Sequence, residues 1–161
     1  MPTTSFSITL PGTSPEQAWH YVRNYQNTTQ WATTTVAVTP VDGSDSMWTV
    51  QLARWPAFEM MCERHADDHA AWSGAPRTVR FDLRNSTGAV RCTEEFHIRP
   101  HSQAGCILSY TMLLGLRGWR RLPCVGAAVW VHLKADAAST RASLERCLTE
   151  CEECVATIVD V

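Results

Sequence analysis

The sequence predicts an α+β fold, a curved antiparallel sheet of about seven strands wrapped around one long C-terminal helix, in the order β-α-α-β6-α. Three observations predict it. From Thr33 to Leu114, short runs of alternating apolar and polar residues follow one another, separated by turn residues. From Leu122 to Cys154 the period becomes helical: Leu122, Val125, Val129, Trp130, Leu133, Ala137, Leu144, Cys147, Leu148 and Cys151 fall on one broad stripe. Ahead of both, one alternating strand leads into a strongly capped helix start.

Residues 4–11 place Phe6, Ile8 and Leu10 on one side and Ser5, Ser7 and Thr9 on the other, and Pro11-Gly12 ends the strand. Ser14 is an N-cap candidate, Pro15 suits the first helical position, and Gln17 can reach back to complete a capping box. The helix carries Ala18, Trp19 and Val22 and fades by Asn24. Tyr25 to Ala32 is short, polar and aromatic, a second short helix or turn. Thr34–Val41 is β-branched and runs into Asp42-Gly43, a hairpin signal. Met47–Arg54, Phe58–His65, Thr78–Arg84, Val90–Arg99 and Cys106–Leu114 each alternate. A less regular passage from Asp67 to Pro76 is compatible with a short edge strand at Ala70–Ser73. Gly115–Arg121 reads as the connection to the long helix. Lys134, Arg141, Ser143, Glu145 and Glu152 lie off that helix's apolar stripe, whereas Asp136 and Thr140 interrupt it.

At 161 residues, with no linker or repeat, one domain spanning 1–161 is expected. A net charge of −2 offers no electrostatic footprint for nucleic acid. Arg117, Arg120 and Arg121 form the tight basic cluster, read as a helix start or surface feature. No leader-like N-terminal run and no membrane-length apolar stretch stand out, so a cytoplasmic protein is expected. Seven cysteines without a secretion signal imply reduced thiols. Cys62, Cys92 and Cys106 fall at apolar strand positions, and Cys147, Cys151 and Cys154 fall on the last helix. Cys151-Glu152-Glu153-Cys154 is formally a CxxC, but neither further zinc ligands nor a βαβ setting accompanies it. His65 and His69, and His97 and His101, are spaced for a helix face yet lie on predicted strands and turns. No metal and no cofactor is expected.

The opening strand, then Thr13-Ser14-Pro15-Glu16-Gln17-Ala18-Trp19, then an aromatic segment reaching Trp31, resembles the start of the SRPBCC superfamily. That superfamily holds START domains, birch-pollen-allergen-like proteins and polyketide cyclases. Element order extends the resemblance over essentially the whole chain, and it implies the helix-grip fold, with a cavity between sheet and long helix. It also implies a small hydrophobic or amphipathic partner, lipid- or polyketide-like. Fold alone does not choose among binding, cyclisation and partner interaction.

The candidate site follows from polar residues at inward positions. The alternation through Met60 and Cys62 continues to Arg64, and that through Val90 and Cys92 continues to Glu94 before Phe96. Tyr110 is inward on the last strand, and Asp136 and Thr140 lie on the helix stripe. With an apolar lining of Trp48, Met60, Phe81, Phe96, Leu108, Met112, Val129 and Leu133, they describe a small-molecule pocket. Trp31, Trp55, Trp72 and Trp119 lie near predicted turns, where they either rim an entrance or are partly buried. Binding of a hydrophobic ligand is the first reading. An aromatase/cyclase-type enzyme using Glu94 or Asp136 with Arg64 is the alternative, and an interaction protein with a vestigial cavity is the third. Whether the chain is an enzyme, and whether it forms a homodimer, the residues leave open.

Overall fold

The computed structural model describes residues 2–53, 59–66, 74–101, 105–117 and 123–150, without the side chains of 66 and 123–134. Its elements are β1 (Thr3–Leu10), α1 (Pro15–Arg23), a 3-10 turn (Tyr25–Asn27), α2 (Thr28–Trp31), β2 (Thr35–Pro40), β3 (Met47–Leu52), β4 (Glu59–Ala66), β5 (Arg77–Asn85), β6 (Val90–His101), β7 (Gly105–Leu116) and α3 (Pro123–Glu150). The expected edge strand at Ala70–Ser73 lies outside the described residues, as do Trp55, Trp72, Trp119, His69, Cys151 and Cys154.

The strands form one seven-stranded curved sheet in the order β1-β7-β6-β5-β4-β3-β2, every pair antiparallel. From β2 to β7, consecutive strands are neighbours, as short turns between them require. The β2–β3 hairpin turns at Gly43, whose φ of +76° is open to glycine and strained for other residues. The first strand returns to pair with the last, Phe6 opposite Tyr110 and Ile8 opposite Leu108. At that seam β7 begins so close to β1 that a Cβ on Gly105 would run into the Leu10 carbonyl oxygen.

The helix start at Ser14 is the reciprocal cap its residues predict. Ser14 Oγ accepts from the Gln17 amide at 3.1 Å, and the Ser14 amide donates to Gln17 Oε1 at 2.8 Å. The helix is short, and it buries Ala18, Trp19, Tyr21 and Val22. Asn24 then caps the 3-10 turn, accepting from the Gln26 amide at 3.2 Å, and turns the chain so that Tyr25 points into the core.

Two corrections concern element ends and one a side chain. β7 continues through Gly115 to Leu116, pairing with Arg91 and Val90, where a connection was expected. Glycine weakens a strand interior, and the ladder to β6 nevertheless carries β7 through it. β6 likewise runs two residues further, to His101. Trp31 is neither at a rim nor partly buried: it is enclosed on α2 against Phe96 and Tyr110.

The core lies on the sheet's concave side, with Ile8, Leu10, Val79, Phe81, Phe96, Ile98 and Leu108 fully buried. Removing one such side chain from water contributes roughly 1.5–3 kcal/mol. α3 packs along β1 and α2. Its C-terminal half buries Leu144 and Leu148, and the Thr13 hydroxyl donates to the Leu148 carbonyl at 3.2 Å. That half is therefore clamped, as the stripe predicts.

Candidate functional site

Register brings the inward residues into rows that cross the sheet. One row reads Thr4, Met112, Glu94, Phe81, Arg64 from β1 to β4. The next, toward one end, reads Phe6, Tyr110, Phe96, Val79. On the other side lie Leu114, Cys92, Leu83, Cys62 and Trp48. Glu94 thus stands in the middle of a largely apolar face.

A lone buried carboxylate there would be very costly, and two phenols answer it. The Tyr25 hydroxyl donates to Glu94 Oε2 at 3.1 Å, and Tyr110 also hydrogen-bonds the carboxyl. Glu94 is only 9% exposed. Burial pushes its pKa from the ordinary 4.5 up to about 7, and the bonds from Tyr25 and Tyr110 oppose a further rise. Burial and then the Glu94 charge push both phenols well above their ordinary value. The three residues form a polar island whose acidic member titrates near neutrality.

Aromatic rings surround the island. Tyr25 lies 4.6 Å from Phe81 and 6.0 Å from Trp48, centre to centre. Phe81 and Phe96 meet at 6.1 Å, and Phe96 and Tyr110 at 5.0 Å. Trp31 stands edge-on to the last two at 5.9 and 6.3 Å. Cys62 and Cys92 lie in the neighbouring row, and burial raises both thiols, so they behave as small apolar groups.

Trp48 also borders a second feature. A cleft of about 400 Å³ opens between α1 and the β2–β3 hairpin, lined by His20, Arg23, Asn24, Asp45, Trp48 and Arg64 among others. Arg64 Nη1 donates to the Arg23 carbonyl at 3.2 Å, and its guanidinium sits 5.7 Å from the Trp48 ring centre. Arg23 and Arg77 stack on the Trp19 ring at 4.3 and 4.9 Å. Burial first, and then Arg23, hold the neighbouring His20 below the ordinary histidine value, against an opposing pull from Glu16, with Arg77 adding least.

The structure brings together Trp48, Phe81, Glu94, Phe96 and Tyr110, with Arg64 and Met112 half-buried in the Glu94 row. Met60 and Leu108 are buried on the same face, two rows to either side of Glu94. Asp136 and Thr140 are half-buried on α3, less enclosed than Glu94. Val129 and Leu133 belong to α3, but their side chains lie outside the described residues. Tyr25, the residue that satisfies Glu94, has no sequence signal of its own. It sits in a three-residue turn too short for any periodicity. On the convex face, Asp82 accepts from Thr93 at 2.7 Å and pairs with Arg80 and His65, an exposed network. Among the described residues no three His, Cys, Asp or Glu side chains gather as a metal site.

A curved antiparallel sheet, a long C-terminal helix and a buried polar island on the concave face define a START-like protein of the helix-grip class. The chain belongs to the family described as polyketide cyclase / dehydrase and lipid transport, which matches residues 1–149. Solved structures share the fold at low identity. A protein of Thermus thermophilus superposes with a TM-score of 0.67 at 13% identity, over 94% of this chain and 99% of that one. A START superfamily protein from Mycobacterium smegmatis gives 0.58 at 13% identity, over 89% and 97%. The di-domain ARO/CYC BexL from the BE-7585A biosynthetic pathway gives 0.62 at 17% identity, over 91% of this chain and 47% of that one. No curated protein matches the chain in sequence. Among the described residues no helix is long and apolar enough to cross a membrane.

Proposed function

We propose that this chain binds a small hydrophobic or amphipathic molecule, lipid- or polyketide-like, between the concave face of the sheet and α3. The observation that carries the reading is Glu94, a carboxyl held by Tyr25 and Tyr110 in the middle of an aromatic face. A few converging polar groups in an apolar surround are what orients a small ligand. Trp48, Phe81, Phe96, Met112, Arg64 and, from α3, Val129, Leu133, Asp136 and Thr140 are assigned to its lining, with Met60 and Leu108 behind them. A cytoplasmic setting is part of the proposal, in keeping with Cys62, Cys92, Cys106 and Cys147 as free thiols.

Native mass spectrometry of freshly purified protein tests this directly. A co-purified compound is expected. After delipidation, saturable binding of a fatty acid or a polycyclic aromatic should follow. A protein that carries nothing and takes up neither defeats the reading.

A second reading, a cyclase or dehydratase, is favoured by one observation: Glu94 titrates near 7, where a general acid or base is most effective. Arg64 lies in the same row, beyond Phe81. Glu94→Gln separates the readings. Loss of turnover of a candidate polyketide with affinity intact supports an enzyme, and weaker binding alone supports a carrier.

A further inference from the structure

Trp31 is only 4% exposed, and its Nε1–H, shielded from solvent, meets no hydrogen-bond acceptor among the described residues. Buried N–H groups are nearly always paired, because an unpaired one gives up its water for nothing. The indole offers this one polar atom, and it can only donate. Its ring stands at 82° to Phe96 and 78° to Tyr110, which are paired across β6 and β7. The next inward residue along β6 is Glu94. Three other polar groups beside it, Tyr25, Tyr110 and Glu94, already bond one another. The indole donor has no share in that arrangement.

We infer that Trp31 sets specificity: its N–H donates to an acceptor oxygen on the ligand, so the pocket prefers an oxygenated ring system to a hydrocarbon of the same shape. The inference rests on the ligand-binding reading above. It narrows that reading to molecules carrying a ketone, quinone or similar oxygen at the end near α2. A purely aliphatic or hydrocarbon occupant would leave the donor unpaired.

The matched probes are 9-fluorenone and fluorene, the same tricyclic frame with and without a carbonyl. Hydrophobicity alone favours fluorene, so the bias of the solvent works against the expected result. The wild-type protein should bind fluorenone about tenfold more tightly, the worth of one buried hydrogen bond left unmade by the hydrocarbon. In the NMR spectrum the Trp31 indole proton should move downfield with fluorenone and not with fluorene. In Trp31→Phe the preference should vanish, with fluorenone losing about tenfold more affinity than fluorene. Should that variant fail to fold, benzothienylalanine at position 31 keeps the bicycle and replaces N–H with sulfur.

Equal affinity of the wild-type protein for the two probes overturns the inference alone and leaves the pocket standing. So does a preference that survives Trp31→Phe, or an indole proton that fluorenone leaves unmoved because it already points at the Phe96 ring. Binding of neither probe overturns the pocket reading and this inference together.

Discussion

The Tyr25 hydroxyl reaches Glu94 Oε2 across 3.1 Å, joining a 3-10 turn near the N-terminus to the middle of the sheet. The bond ties the α1–α2 segment to the sheet and, against the larger effect of burial, favours the charged form of the buried acid. Burial alone would drive the carboxyl still higher, and the phenols hold it near neutrality.

The first prediction concerns pH. The folded pKa of Glu94 is raised from 4.5 to about 7, so its protonated form is the one that suits the fold. Its favourable contribution is complete below the unfolded value and is lost as pH rises through the folded one. Above that, the buried carboxylate destabilises the protein by roughly 3 kcal/mol. Glu94→Gln keeps the shape and an acceptor for the phenols but cannot ionise. Denaturant titrations should find it near wild type at about pH 5 and about 1–3 kcal/mol more stable at about pH 8. A variant less stable than wild type at the higher pH would contradict this account.

Tyr25→Phe removes one donor from the carboxylate and little else. At about pH 8 the loss should be about 1–3 kcal/mol, because a buried charge is left with fewer partners. At about pH 5, where Glu94 is neutral, the loss should be smaller. The titration midpoint of Glu94, followed by carbon-detected NMR, should move above the wild-type value.

Gly105→Ala should be among the most damaging small substitutions. The added methyl meets backbone, the Leu10 carbonyl oxygen and the Pro11 Cα, and neither can swing away as a side chain would. Moving β1 away from β7 is the remaining relief, so thermal unfolding should show a loss of about 1–3 kcal/mol or more. A melting curve that matches wild type would mean the seam is looser than the structure shows.

Ser14→Ala deletes the acceptor of the α1 cap and should cost about 0.5–2 kcal/mol. Ser14→Asp should recover most of it, since a carboxylate also accepts from the Gln17 amide and suits a helix start. Equal loss in both variants would show that the cap contributes little.

The strands were legible because burial of one face writes itself as alternation, and Arg64 and Glu94 emerged by extending that alternation past the apolar residues. The capping box at Ser14 and Gln17 was legible for a similar reason: it is local chemistry. Tyr25 and Trp31 were not. Each sits in an element of three or four residues, where no period can develop and where burial is decided by strands far away in sequence. Gly115 looked like a terminator, yet pairing with Arg91 holds it in β7. Asp136 and Thr140 interrupt the apolar stripe in the sequence. Half-burial is their observed setting, and sequence periodicity could not separate that from full enclosure.

The pairing of β1 with β7 has a consequence for synthesis. Ser7 Oγ lies 2.9 Å from Ser109 Oγ, across 102 positions of chain. Strands β2 to β7 can zip as successive hairpins while the chain emerges, but β1 has no neighbour until β7 exists. It must wait, an alternating apolar segment with an unsatisfied edge, until the chain has been made through Leu116. Pulse-labelled hydrogen exchange should therefore find the amides of β1 protected last. Slowing the ribosome between β2 and β7 should expose the nascent chain to aggregation more than slowing it after β7.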